Sequence, residues 1–281
     1  MAIITQKIGA IEYLTAEGIC APHGFTTRYG GVSTGHLTSM NIGIHRGDAL
    51  KNVAKNYEIL GQVIGFTTED VVAAKQIHSD IIYQVTAADR GGCLIEGASP
   101  VCDGLITNVP GMALNVFTAD CTPILYHDPV TGAVGAAHAG WRGTAAGIAA
   151  KTVYAMVAAY GCNPEDIRAA IGPHIGQCCF ETDRDVPEAM LEALGEEARP
   201  HIEKRDSKFY IDLTEINSLF LRRAGVQHIE SCPDCTACQP DRFWSYRRVG
   251  ANRGSQGAII VCKKEGTTGS VLSVCCCYCA G

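Results

Sequence analysis

Residues 117–144 read FTADCTPILYHDPVTGAVGAAHAGWRGT, and the fold turns on this stretch. An apolar run at 112–117 ends at Ala119-Asp120-Cys121. A turn at Asp128-Pro129 and Thr131-Gly132 leads to a second apolar run, 133–137, which stops at His138. Short apolar runs bounded by turn residues predict buried strands. Cys121 and His138 therefore hold comparable positions, each at or just past a strand edge. A thiol and an imidazole so placed suit a catalytic pair or two corners of a zinc site. The same residues also fit a buried Cys and a hydrogen-bonded His in a strand-rich core.

Downstream, residues 144–160 place Ile148, Val153, Met156, Val157 and Tyr160 along one helical face, with Gly161 and Pro164 as the stop. Gly140-Trp141-Arg142-Gly143-Thr144 opens that helix, and free amides beside an Arg fork favour phosphate or carboxylate. Further on, the pattern predicts a strand at 167–171, a helix at 181–194, a strand at 209–213, a helix at 214–224 and a strand at 226–230. Alternating strands and helices predict an α/β (α+β) layered sandwich of mixed sheets covered by helices. With no repeat and no Pro/Ser-rich linker, the chain reads as a single domain, 1–281.

Upstream, residues 1–24 supply a strand or two. The Gly-rich stretch 25–48 reads as a long surface loop whose Gly30-Gly31 amides and Arg28 suit an anion or a sugar. A helix is predicted at 51–61 from Val53, Tyr57 and Leu60. Strands follow at 71–74 and 81–85, and His78 lies at the break between them. Residues 88–100 read as loop and 103–107 as a short strand.

The 281 residues carry 47% hydrophobic side chains and a net charge of −6, which implies no basic nucleic-acid face and argues against nucleic acid as a partner. The start has no signal-peptide pattern and no apolar stretch reaches membrane-spanning length. Fifteen cysteines at irregular spacings point to a reduced, cytoplasmic setting. Cys232, Cys235 and Cys238 (CPDCTAC) look like half a structural zinc site lacking a fourth ligand. The tail CCCYCAG, with Cys275, Cys276, Cys277 and Cys279, has no ligand spacing and reads as a frayed or edge segment. The aromatics of DRFWSYRR (241–248) suit stacking of a flat ring, and its arginines suit anions.

Taken in order, TRYGGVSTGHLTSMNIGIHRGD, KQIHSD, TADCTPIL, AAHAGWRGT, IGPHIGQCCFE and RFWSYRR resemble the YfiH-type family over residues 25–261. That family is variously labelled polyphenol oxidase or laccase-domain protein, peptidoglycan editing factor, and purine nucleoside phosphorylase. The resemblance implies a zinc ion held by His78, Cys121 and His138, with one coordination position open as in catalytic sites. It implies purine nucleosides and phosphate as substrates: phosphorolysis of adenosine, inosine and methylthioadenosine, and deamination of adenosine through water activated at a metal. Within that scheme Asp120 is the expected proton shuttle and Arg142 and Arg28 the phosphate clamp. Ser33 and Asn41 are expected on ribose hydroxyls, and Lys75 of KQIH is a further substrate-binding residue. Two departures stand out: Arg253 precedes its Gly where the family has TGR, and Tyr57 replaces a frequent Arg. The tail, 262–281, lies outside the resemblance. A rival reading makes Cys121 the nucleophile and His138 the base of an amide hydrolase. A multicopper oxidase would need more clustered histidines than the nine scattered here.

Overall fold

The computed structural model describes residues 2–95 and 98–263, so the expectations for the cysteine-rich tail lie outside the described residues. Among these, the strands run β1 (Ile3–Ile8), β2 (Ile11–Ala16), β3 (His23–Thr26), β4 (Val71–Ala73), β5 (Ile82–Gln84), β6 (Gly104–Thr107), β7 (Ala113–Thr118) and β8 (Thr122–His127). They continue with β9 (Val134–Ala139), β10 (Arg168–Ile171), β11 (Glu181–Thr182), β12 (Ile202–Arg205), β13 (Lys208–Ile211), β14 (His228–Ser231) and β15 (Gln256–Val261). The helices are α1 (Leu50–Ile64), α2 (Trp141–Ala145), α3 (Ile148–Tyr160), α4 (Asp185–Leu194), α5 (Leu213–Arg223) and α6 (Tyr246–Val249). None is long and apolar enough to cross a membrane.

One six-stranded sheet has the order β1-β2-β3-β15-β7-β4 and the other β14-β10-β8-β9-β6-β5, while β11-β13-β12 form a small third sheet. Both large sheets are mixed, with parallel pairs only at β4–β7, β5–β6 and β10–β14. Strand alternation then builds the layers, because successive side chains leave opposite faces. Leu114 and Val116 of β7 and Ala258 and Ile260 of β15 face Leu125 of β8 and Ala136 of β9 in a core between the sheets. Ala113 and Ile259, on the other face of the first sheet, pack under α1. Ile124 and Tyr126, on the outer face of the second, pack under α3 and α5. The predicted sandwich of mixed sheets covered by helices is what forms.

Three predicted helices differ in informative ways. α1 runs past its expected stop at Gly61, because that glycine serves a close approach rather than an ending. A Cβ there would sit 2.3 Å from the Phe66 carbonyl oxygen, and the left-handed cap falls instead on Gly65. The single helix expected at 144–160 is two, broken at Gly147 with φ +77°. The helix expected at 181–194 begins with β11, whose pairing to β13 holds Glu181 and Thr182 extended.

His23 in β3 makes stability depend on pH. It is buried, its Nε2 accepting from the Ala16 N–H at 2.8 Å and its Nδ1 donating to the Ala21 carbonyl at 2.8 Å. Only the neutral ring makes both bonds. Burial outweighs the Ala21 bond and lowers the pKa from 6.5 to about 4. Between those values the unfolded chain binds a proton that the native chain does not. Stability is therefore full above the unfolded value and declines as pH falls towards 4. The gap corresponds to roughly 3 kcal/mol. Denaturant melts from pH 7 to 4 should show this loss, shallower in His23→Gln; equal slopes for both proteins would refute it.

Candidate metal centre

Twice near the middle of the fold the chain passes from the first large sheet to the second. Residues 74–81 carry it from β4 to β5, and residues 119–121 from β7 to β8. His78 lies on the first crossing, Cys121 on the second, and His138 near the end of β9. Both crossings use backbone that side chains disfavour. His78 has φ +60° and Asp120 φ +95°, two of the three non-glycine residues in the left-handed region among the described residues. Such conformations cost of order 1–3 kcal/mol each and persist only where the surroundings enforce them.

For His78 the enforcement comes from Asp103, fully buried just before β6. Its Oδ2 accepts from the Ile77 and Ser79 N–H groups at 3.2 and 2.7 Å and from Ser79 Oγ at 2.7 Å. Its Oδ1 accepts from the His78 N–H at 3.1 Å and from His138 Nδ1 at 2.8 Å. Burial pushes this carboxyl up, but the bonds from His138 and Ser79 more than offset it and hold it well below the usual carboxylate range. One carboxylate thus wraps the loop that bears the first imidazole and orients the second, leaving Nε2 of His138 as its ligand atom. A carboxylate is one of the usual partners of a metal-ligating histidine's second nitrogen, alongside backbone carbonyls and water.

The three donor atoms lie within 4.8 Å of one another. Nε2 of His78 is 3.9 Å from Sγ of Cys121, and the two imidazoles stand edge to face at 81°, centroids 5.0 Å apart. Burial would raise the Cys121 thiol, but the His138 and His78 imidazoles outweigh it and bring it down to about 6. Burial also disfavours a charged His138, while Cys121 and Asp103 raise it to about 9. The sulfur is therefore disposed to be a thiolate, the form that binds metals and attacks carbonyls. Gly140 leaves the space: a Cβ there would lie 2.8 Å from Cδ2 of His78 and 3.4 Å from the Cys121 sulfur.

Two cavities of about 450 and 410 Å³ meet at His78, Cys121 and Arg253. The larger is cationic, lined by His45, Arg46, Lys75 and Arg253. The other is aromatic, lined by Trp141, Phe180 and Tyr246, with Arg247 and Asp120. Arg253 donates through Nη1 to the Gly254 carbonyl at 3.0 Å and to Ser255 Oγ at 3.4 Å, while its buried Nε has no partner. Arg46 reaches the same hydroxyl at 3.2 Å. Burial, then repulsion from Arg46, lowers the Arg253 pKa to about 10. Two guanidiniums on one hydroxyl, with a donor unused, make a site that favours an anion.

The expected site residues divide accordingly. His78, Cys121 and His138 converge, and Lys75 stands in the cationic cavity. Asp120 lines the aromatic cavity, its oxygens accepting from Thr236 Oγ1 at 2.7 Å and the Arg247 N–H at 2.6 Å. Arg142, Arg28, Ser33 and Asn41 are absent from both linings. Arg142 is exposed and folds back over the Trp141 ring at 4.2 Å. Arg28 lies over the Trp244 ring at 3.9 Å and donates to the Pro240 and Thr38 carbonyls. Ser33 and Asn41 are buried and both donate to Asp48, at 2.6 and 3.0 Å. Gly30 and Gly31 answer to packing, since Cβ atoms there would meet the Ile11 Cα at 2.5 Å and the Ser39 carbonyl oxygen at 2.2 Å. Of the DRFWSYRR aromatics, Phe243 and Trp244 are buried and Tyr246 alone reaches a cavity. Asp103 and Arg46 were not anticipated. An acid two residues before the buried run Leu105-Ile106 was the available signal for the first.

The family described as "Multi-copper polyphenol oxidoreductase laccase" matches residues 22–263. The chain is 39% identical over 249 residues to purine nucleoside phosphorylase YlmD of Geobacillus stearothermophilus, covering 87% of this chain and 91% of that protein. It is 34% identical to purine nucleoside phosphorylase YfiH of Escherichia coli, covering 79% of this chain and 86% of that one. The chain belongs to the YfiH family. The crystal structure of YlmD from Geobacillus stearothermophilus superposes with a TM-score of 0.87 at 36% identity, covering 93% of this chain and 100% of that one. The YfiH-type resemblance of the motifs, including TADC and AAHAGWRGT, thus extends to the whole architecture.

Asp103→Asn should weaken metal affinity by about 10- to 100-fold while the protein remains folded, because the ligands stay but their orientation loosens. Gly140→Ala should abolish binding at this centre by displacing the His78 ring. Metal titration alongside circular dichroism checks both. Unchanged affinity in the two variants would remove the centre as drawn.

Proposed function

We propose that this YfiH-family chain is a zinc-dependent purine nucleoside phosphorylase of adenosine, inosine and methylthioadenosine that also deaminates adenosine, working in the cytoplasm. The observation that carries this reading is the junction of a cationic and an aromatic cavity at a His₂Cys centre. A nucleoside and a phosphate differ in just this way. The purine ring stacks among Trp141, Phe180 and Tyr246. Phosphate pairs with Arg253, Arg46 and Lys75, and the ribose bridges the two. Arg253 and Arg46 take the clamp role that sequence motifs assigned to Arg142 and Arg28.

Phosphorolysis forms a bond from a phosphate oxygen to the ribose anomeric carbon and breaks the bond from that carbon to the purine nitrogen. The departing purine needs a proton. Asp120 offers the only carboxylate in either lining among the described residues, and it is the proton carrier of this reading. The guanidiniums hold the phosphate against positive charge developing on the ribose. Zinc, when bound by His78, Cys121 and His138, supplies a Lewis acid at the junction of the cavities. Two imidazoles and one thiolate suit zinc with an open position.

One observation favours a second reading. Cys121, His138 and Asp103 form a thiolate–imidazolium–carboxylate series, the arrangement of a cysteine amide hydrolase. His78 argues against it, because a second imidazole aimed at the nucleophile's sulfur serves a metal and hinders acylation.

Elemental and product analysis separate these. Zinc should be present, and His138→Ala should lose one equivalent per chain together with both activities. Adenosine with phosphate should yield ribose 1-phosphate and adenine; ammonia should appear without phosphate. Arg253→Met should raise the KM for phosphate about 10- to 100-fold, the worth of a hydrogen bond to a charged group. Copper in place of zinc, or full turnover by His138→Ala, would overturn the proposal.

A further inference from the structure

A second group of soft ligands lies outside the cavities. Cys178, Cys179, Cys235 and Cys238 bring their four sulfurs within 4.8 Å of one another. The loop after β10 carries the first pair, and the loop after β14 the second. Because β10 and β14 are parallel neighbours, both loops leave the same end of the sheet. His174 and Cys235 extend that pairing by one parallel bridge, and Thr236 N–H donates to the His174 carbonyl at 2.9 Å. Sequence spacing had pointed to Cys232, Cys235 and Cys238, with a ligand missing. The fold corrects this: Cys232 is buried in the core between the sheets, and the missing ligands come from the Cys178-Cys179 pair, more than fifty residues upstream.

We propose that these four thiols are a second, structural zinc site that ties the two loops together. The distances carry the proposal. Four sulfurs about 2.3 Å from one tetrahedral ion lie about 3.8 Å from each other. Here Cys178 and Cys179 are 3.8 Å apart, Cys178 and Cys238 3.6 Å, and Cys179 and Cys238 3.4 Å. A disulfide would need about 2.05 Å. Hydrophobic burial does not account for the grouping, since Cys178 and Cys238 are exposed. The surroundings also suit a metal with excess thiolate charge. Gly176 N–H donates to the Cys235 sulfur at 3.2 Å, and Arg247 brackets the loop by donating to the Cys179 and Glu181 carbonyls, each at 2.9 Å. A Cβ on Gly176 would sit 3.2 Å from Cβ of Cys235 and 3.4 Å from the Cys178 sulfur, so the loop fits closely over the sulfurs.

The two loops also shape the neighbouring site. Ile175 and Phe180 line the aromatic cavity, and Ile175 N–H and Thr236 Oγ1 both donate to Asp120, at 2.9 and 2.7 Å. A metal clip on the sulfurs would therefore hold one wall of that cavity, whichever reaction occurs there.

The test is metal content of full-length protein prepared anaerobically in zinc-containing medium. Wild type should carry two zinc ions per chain. The Cys178→Ser/Cys238→Ser double variant should carry one, and so should His138→Ala. Cobalt substitution reads the site without altering it. His138→Ala should keep most of the sulfur-to-cobalt charge-transfer absorbance, because a four-thiolate centre dominates it, whereas the double serine variant should lose most. Equal zinc in wild type and the double serine variant, sulfur-to-cobalt absorbance unchanged by the two serines, or a disulfide from Cys238 to Cys178 or Cys179 in the anaerobic protein would overturn the proposal. Failure at the His₂Cys centre shows separately, as no loss of metal in His138→Ala.

Discussion

A single buried carboxylate sets the geometry at the heart of this protein. Asp103 accepts from three consecutive amides, one hydroxyl and one imidazole, so neither of its oxygens is left idle in the dry interior. Those bonds hold His78 in a left-handed conformation that a free chain avoids, and the same oxygen turns His138 towards Cys121. A buried charge without partners is prohibitive, and one fully partnered becomes a rigid joint. The convergence of residues 78, 121 and 138 depends on that joint.

The sheets contribute the rest. Where the chain leaves one layer for the other, backbone emerges at the edge of a packed core and can carry polar side chains without burying them among aliphatics. His78 and Cys121 occupy two such crossings, while His138 comes from the strand beside them. The cavities diverge from there with opposite character. Arg46 and Arg253 crowd positive charge on one side, and Trp141, Phe180 and Tyr246 line the other. The polarity of the site is thus built from loops and helix starts of four different regions, anchored on one rigid centre.

Much of this was legible in the residues. Short apolar runs and turn signals predicted the strands at 103–107, 112–117, 133–137, 167–171, 209–213 and 226–230 but not β8, β12 or β15, and the TADC and AAHAGWRGT motifs marked both Cys121 and His138. Other features were hidden because they belong to tertiary contacts. Gly61 looked like a helix stop until Phe66 was seen lying against it, and Gly147 gave no local sign that Phe220 would pack on its far side. Arg28, Ser33 and Asn41 sit in a motif-rich loop, yet their polar groups hold that loop to Asp48, to residues 38–40 and to Trp244. The end of the same stretch, with His45 and Arg46, is the part that reaches the cavity. Distinguishing a loop's anchors from its working end needs the fold, because both call for polar side chains. Cysteine spacing misled for a similar reason: Cys232 and Cys235 are close in sequence and both buried, but Cys232 packs into the core between the sheets and Cys235 into the core on the other face, beside Cys178 and Cys179.

The placement of β15 has a consequence for how the chain is made. The last described strand lies between β3 and β7, pairing with both. Until residues 256–261 leave the ribosome, the first sheet exists as two halves with open edges, one from the beginning of the polypeptide and one from its middle. The sheet therefore closes only once β15 is available, and a nascent chain halted short of Gln256 would leave strand edges unpaired.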